Sequence, residues 1–314
     1  MKQGRPDLET AISTIDLLDH QRVDWSRVQC SVYLVHQHLR YEYPGPIKDL
    51  HQRLMILPPH QYGDQRLLEH RLSISNPAVE TVYQDDSFGN TEINLYVPSI
   101  EHAIDFEAWI LVERCSENGQ NYVPAERLTD ECFLSPSPLT QPDNALQEVA
   151  ALLKADGKQG LELAQQINTW VYRHMRYAHD VTGIHTGAAR ALALKQGVCQ
   201  DYAHIMITLC RLCGIPTRYV SGHLLGEGGT HAWVEVILPV KNRPSSAFIV
   251  PLDPTHGRRA GMGYVSIAVG RDYFDVAPTS GTFRAAYAGQ LSVRKRVGLA
   301  MYEYADQSAE EMGA

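Results

Sequence analysis

The chain has 314 residues, 28 Lys+Arg against 36 Asp+Glu for a formal charge of −8, and 44 % apolar against 20 % charged residues. That length suits two domains of ordinary size, and the composition excludes a largely disordered chain. The acidic balance argues against a nucleic-acid partner, and no apolar run is long enough for a membrane-spanning helix. Residues 1–19 are polar and mixed in charge, without the apolar stretch of an export signal. The six cysteines (Cys30, Cys115, Cys132, Cys199, Cys210 and Cys213) are too sparse for a disulfide framework. Both features point to a reducing, cytoplasmic setting in which a thiol is kept for chemistry.

In chain order, residues 27–35 alternate apolar and polar and predict a strand. Further strands are expected over 54–57, 69–74, 79–83, 92–97 and 106–112, separated by turn clusters such as Asp85-Asp86-Ser87-Phe88-Gly89-Asn90. Short strands at this spacing predict an antiparallel β-sandwich. Pro136, Pro138 and Pro142 then interrupt the chain; each fixes φ and lacks an N–H donor, which places a domain boundary near residue 137. Apolar spacing near 3.6 predicts helices over 144–154 and 160–175, the second with Leu161, Leu163, Ala164, Ile167, Trp170 and Val171 on one face. A short helix over 186–196 ends at Gly197, and a longer one runs from Cys199 to Gly214. Strands are expected over 217–224, 231–240, 247–253, 264–269 and 289–297. Helices followed by antiparallel strands give an α+β order. The resulting division is an N-terminal segment (1–24), a β domain (25–136), a second domain (137–297) and a C-terminal tail (298–314).

The stretch Gly197-Val-Cys-Gln-Asp-Tyr-Ala-His204 carries the sharpest chemical signal. Cys199 opens a helix, where unpaired N–H groups and the macrodipole favour negative charge, and thiols so placed make good nucleophiles. A lone cysteine is more often simply core; two later residues change that weighting. His231 opens the strand His231-Ala-Trp-Val-Glu235, and Asp253 closes the next one. If the two strands pair antiparallel, imidazole and carboxylate lie at matching ends, where the acid fixes the tautomer and stabilises the imidazolium. His174, His179 and His185 lack the spacing of a metal motif, and Cys210-Arg-Leu-Cys213 sits at a helix C-terminus on its apolar face, so no metal or cofactor is expected.

Four segments together, Gly197-Val-Cys-Gln-Asp-Tyr-Ala-His204, Gly214-Ile-Pro-Thr-Arg-Tyr-Val-Ser-Gly222, His231-Ala-Trp-Val-Glu235 and Asp253-Pro-Thr255, resemble the transglutaminase-like superfamily in its bacterial branch. Residues 269–278, Gly281-Thr-Phe283 and the turn Asp86-Ser-Phe-Gly-Asn90 are similar to the same branch, so the resemblance spans about residues 25–297. It implies a papain-like core behind a β domain, with Cys199 as nucleophile, His231 as general base and acid, and Asp253 as the orienting group. The hairpin 240–248 departs from relatives that carry Gly-Trp before the third strand, which alters the local pocket. The Cys199 N–H is the natural first oxyanion donor; Tyr177, Gln166 and Trp170 are candidates for the second. Trp233 either lines the acyl pocket or packs. Gln200, Asp201 and His204 support the motif, the last two as a hydrogen-bonded structural pair or as catalytic groups. The expected activity is attack on a peptide or protein amide through a thioester, with hydrolysis favoured over acyl transfer. Glutamine-directed crosslinking and a non-catalytic binding module are the alternatives. Arylamine acetylation, which uses the same triad, finds no Arg-Gly-Gly lead-in before Cys199.

Overall fold

A computed structural model describes residues 5–13, 18–116 and 121–305. Its first half holds α1 (Leu8–Ser13), β1 (Val28–Glu42), β2 (Ile47–Leu54), β3 (Gln61–Tyr62), β4 (Gln65–Ile74), β5 (Glu80–Asp85), β6 (Thr91–Ile100), β7 (Ala103–Cys115) and β8 (Tyr122–Pro124). The second half holds α2 (Glu131–Leu134), α3 (Asn144–Ala155), α4 (Gly160–His174), β9 (Arg176–Tyr177), α5 (Ala188–Leu194), β10 (Gln196–Gly197) and α6 (Cys199–Leu212). It continues with β11 (Thr217–Leu224), β12 (His231–Pro239), β13 (Ser246–Asp253), β14 (Arg258–Arg259), β15 (Tyr264–Gly270), α7 (Tyr273–Val276), β16 (Thr279–Arg284) and β17 (Gln290–Tyr304).

Two antiparallel sheets, β17-β1-β7-β4-β3 and β16-β2-β6-β5, form the sandwich. The period-2 residues Ile104, Phe106, Ala108, Ile110 and Val112 of β7 share one core with Ile47, Leu50 and Leu54 of β2 and with Ile93, Leu95 and Val97 of β6. On the outer face, α1 lays Leu8 and Ala11 on Val32, Leu34 and Leu111.

The second unit is a sheet in the order β14-β13-β12-β11-β15, with β8 paired to β13. Helices α3, α4 and α5 surround α6, which touches β11 and β12 directly. Apolar residues on all sides make α6 the buried axis of this unit, from Tyr202 to Cys210. The opposite face of the sheet rests on the sandwich. There Tyr62 bonds Glu235 at 2.5 Å and accepts from Arg218 at 2.6 Å, while Arg218 also bonds Glu235 at 2.7 Å. Two sandwich amides grip the outer edge of β15. Gln65 bonds both the N–H and the C=O of Ser266 (2.9 and 2.8 Å), and Asn90 does the same to Val269 (2.7 Å each). Side-chain amides thus replace the missing neighbour strand on an otherwise open edge.

Three expectations are corrected here. The chain does not leave the sandwich at residue 136, and no tail begins at 298. β16 pairs with β2, and β17 pairs with β1 along its whole length, because the second edge of β1 presents backbone N–H and C=O groups that no strand of the first half pairs. The proline-rich segment is no free linker: Ser137, Leu139 and Thr140 are buried, held by Arg211, whose guanidinium reaches Phe133 O, Ser137 Oγ, Thr140 Oγ1, Thr217 O and Arg271 O. Finally, Cys30 and Cys115 form a disulfide. They are register partners in the β1–β7 ladder, a juxtaposition that a separation of 85 residues hides in the sequence.

Candidate active site

Cys199 stands at the first position of α6. The preceding β10 pairs in parallel with β9, so Gly197 lies opposite Tyr177. Asp201, on the first turn, accepts the Val198 N–H at 2.8 Å and the Thr182 hydroxyl at 2.7 Å, fixing the entry into the helix. A Cβ on Gly197 would collide with the Asp201 side chain, so glycine is required there.

The imidazole of His231 is 2 % exposed and the carboxylate of Asp253 is fully buried. β12 and β13 pair antiparallel as expected, which brings His231 Nε2 to 2.8 Å from Asp253 Oδ2. Opposite His231 across the β11–β12 ladder is Gly222, whose missing side chain leaves room for the Trp233 indole; a Cβ would stand 2.6 Å from Trp233 Cη2. Trp233 is 1 % exposed and packs edge-on against Tyr264, which makes it core rather than pocket lining.

Asp253 collects five donors. Oδ2 accepts from His231, from His256 Nδ1 at 2.8 Å and from the Tyr264 hydroxyl at 2.7 Å; Oδ1 accepts the N–H groups of Thr255 and His256 at 2.8 and 3.3 Å. Burial alone would raise this carboxyl, but the bonds from His231 and His256, the His231 charge and the Tyr264 bond outweigh it and hold it well below the usual carboxylate range. Burial would likewise push His231 down; its bonds to Asp253 and Cys199 and the charges on both raise it to about 10. The Cys199 thiol faces the carbonyl of Thr230, the residue before His231, at 3.9 Å. Glu227, in the Gly226-Glu-Gly-Gly229 loop, completes the ring: its carboxylate lies 3.3 Å from His231 Nδ1 and 3.3 Å from His256 Nε2. Bonded to both Asp253 and Glu227, His256 is raised to about 9.

Of the three side chains considered for the second oxyanion donor, Tyr177 is the one at the entry into α6, opposite Gly197 in the β9–β10 ladder. Its phenol is pushed up to about 12, first by burial and then by the Cys199 charge. Gln166 donates instead to Asp156, and Trp170 stacks on His174 at 4.1 Å; both belong to a surface of α4 that does not include Cys199. Asp201 and His204 do not form a pair. His204 is buried, accepts the Tyr273 N–H at 3.3 Å, and is pulled down to about 4 by burial, so it holds α7 against α6 as a neutral ring. Gln200 donates to Ile184 O at 3.3 Å.

Sequence reasoning missed Glu227, His256 and Tyr264. His256 had a signal, since the tight turn Asp253-Pro-Thr-His256 returns the third residue to the carboxylate; Tyr264 reaches it only through the fold. Among the described residues, His231, Asp253 and His256 offer three metal-donor atoms within 4.8 Å of one another. Those atoms are already committed to one another by the two 2.8 Å bonds to Asp253.

A cysteine at the head of a buried helix, facing a histidine and an acid on adjacent antiparallel strands, defines a papain-like thiol-enzyme fold. Residues 147–254 match the transglutaminase-like superfamily core and residues 33–113 match the bacterial transglutaminase-like N-terminal region, and the chain belongs to the transglutaminase-like superfamily. It is 26 % identical over 277 residues to uncharacterized proteins of Mycobacterium bovis and Mycobacterium tuberculosis, covering 79 % of this chain and 86 % of theirs. An uncharacterized Mycobacterium leprae protein is 36 % identical over 134 residues, 40 % of this chain and 45 % of that one. The crystal structure of a putative cysteine protease from Cytophaga hutchinsonii shares the fold, with a TM-score of 0.70, 21 % identity, and coverage of 88 % of this chain and 93 % of that one.

Proposed function

We propose that the protein is a Cys-His-Asp thiol enzyme that cleaves an amide or peptide bond through a thioester, with water as the usual acceptor. The observation that carries this reading is the His231–Asp253 bond at 2.8 Å in a buried setting, with the Cys199 thiol facing the carbonyl of Thr230, the residue before His231. In the first step the raised imidazole of His231 holds the proton of the Cys199–His231 pair, and the sulfur attacks the carbonyl carbon. The oxygen of the tetrahedral adduct is held by the Cys199 N–H and by the Tyr177 hydroxyl. Collapse breaks the C–N bond as His231 gives its proton to the leaving amine. In the second step water attacks the thioester, His231 accepts the water proton and then returns one to the sulfur, and the acid leaves. No step calls on a metal or cofactor.

Cys199 is only partly buried, so the thioester stands within reach of solvent. Water at about 55 M wins over an amine unless it is excluded or the amine is well positioned. The test is a glutamine-bearing peptide, with and without a labelled primary amine. Release of ammonia and acid without amine incorporation is expected. Incorporation well above hydrolysis at millimolar amine overturns the hydrolase reading and leaves the thioester standing.

A further inference from the structure

Lys295 belongs to the sandwich, in the middle of β17, yet its ammonium donates to Thr230 Oγ1 at 2.5 Å, next to His231. The carbonyl of the same Thr230 faces the Cys199 thiol. Lys295 is half-buried, and among the described residues no carboxylate lies within ion-pair distance of it. Burial alone moves it, pulling it down to about 8, so at neutral pH it is a partly desolvated cation without a counter-charge. The neighbouring His223 is fully enclosed and pulled down to about 3 by burial and by the Lys295 charge, which leaves that ring neutral. A desolvated cation that the fold leaves unpaired, bonded to the residue whose carbonyl faces the thiol, is suited to an anion brought by the ligand. Neighbouring strand residues Arg294 and Arg296 are exposed and fall on the opposite face of β17 by the period-2 rule.

We infer that Lys295 is a carboxylate-binding subsite of the cleft, and that the preferred amide substrate carries a free carboxylate close to the scissile carbonyl. This rests on the thiol-enzyme reading and names its substrate class. Lys295 would then be a specificity residue, supplied to the cleft by the sandwich.

The test needs no known substrate. Cys199 is alkylated with iodoacetate and with iodoacetamide, and the ratio of the two rates is normalised to that of a free thiol. The charged reagent is expected to be favoured in the parent, and the ratio is expected to fall roughly tenfold in Lys295→Met while Lys295→Arg keeps it. An unchanged ratio in Lys295→Met overturns the inference. Slow labelling by both reagents counts against the activated thiol instead, so the two failures are distinguishable. Protection of Cys199 from iodoacetamide then separates the sources of the carboxylate and stands in should Lys295→Met not fold. Protection by N-acetyl-dialanine but not by its C-terminal amide assigns a chain terminus. Protection also by the amide of N-acetyl-alanyl-aspartate assigns an acidic group in general. Equal protection by the dialanine amide, or protection by none of the three, overturns the inference.

Discussion

Replacing Asp253 by Asn tests the centre of the site most directly, because five donors converge on an acceptor-only group. In the first amide orientation the NH2 meets the His231, His256 and Tyr264 donors; in the other it meets the Thr255 and His256 N–H groups. Both leave donor facing donor in a site with no solvent. Removing one partner of a buried charged pair costs about 3–5 kcal/mol, and that loss of stability is expected in Asp253→Asn, read as a lower urea midpoint at unchanged m. The pH dependence follows from the two partners. His231, raised to about 10 from 6.5, contributes stability that is complete below 6.5 and is lost as pH rises through 10. Asp253, lowered from 3.8, contributes above 3.8 and loses its contribution as pH falls further. The gap between parent and variant is therefore widest between pH 3.8 and 6.5 and narrows on both sides. Turnover should drop by about four orders of magnitude, as in comparable triads. A gap under about 1 kcal/mol, or one that does not change between pH 6 and 10, refutes the reasoning.

Cys199 should be alkylated ahead of Cys132, Cys210 and Cys213, whose thiols are all pushed up, chiefly by burial; mass mapping after a brief pulse at mildly acidic pH checks this, and first modification of any of the three refutes it. Glu227→Gln removes the carboxylate that lies against both imidazoles, so His256 should titrate below about 9, seen as a downward shift of its imidazole NMR titration. Arg211→Met strands the carbonyls of Phe133, Thr217 and Arg271, at about 1–3 kcal/mol each. Limited proteolysis should then open residues 135–142, which the parent protects.

Much of the site was legible because its signals are local. A glycine before a cysteine that opens an apolar helix, and a histidine and an aspartate at matching ends of two adjacent strands, follow from periodicity and turn chemistry alone. The strands 92–97 and 106–112 were legible for the same reason, the first alternating and the second apolar but for Glu107. The unread parts are set by pairing between distant segments. β17 alternates too weakly after Val297 to announce its partner, and Arg211 looks like a surface residue at a helix end until five carbonyl and hydroxyl oxygens are found around it. Three prolines mark a domain boundary in the sequence, although proline's missing N–H also suits a segment whose few polar groups must be met from outside. The Glu227–His256 contact depends on a glycine-rich loop whose path periodicity does not encode.

The pairing of β1 with β17 also bears on how this chain can be made. Val28 pairs with Tyr304 and Glu42 with Gln290, so the strand synthesised first completes its sheet only after the whole helical half has left the ribosome. Vectorial, domain-by-domain folding is closed to the sandwich. Loop-closure entropy falls due before the pairing rewards it, which slows folding, and β1 must wait with one edge unsatisfied. A nascent chain stalled before residue 290 therefore exposes a long hydrophobic strand edge, the species most prone to self-association, while its cysteine, histidine and aspartate have already been translated.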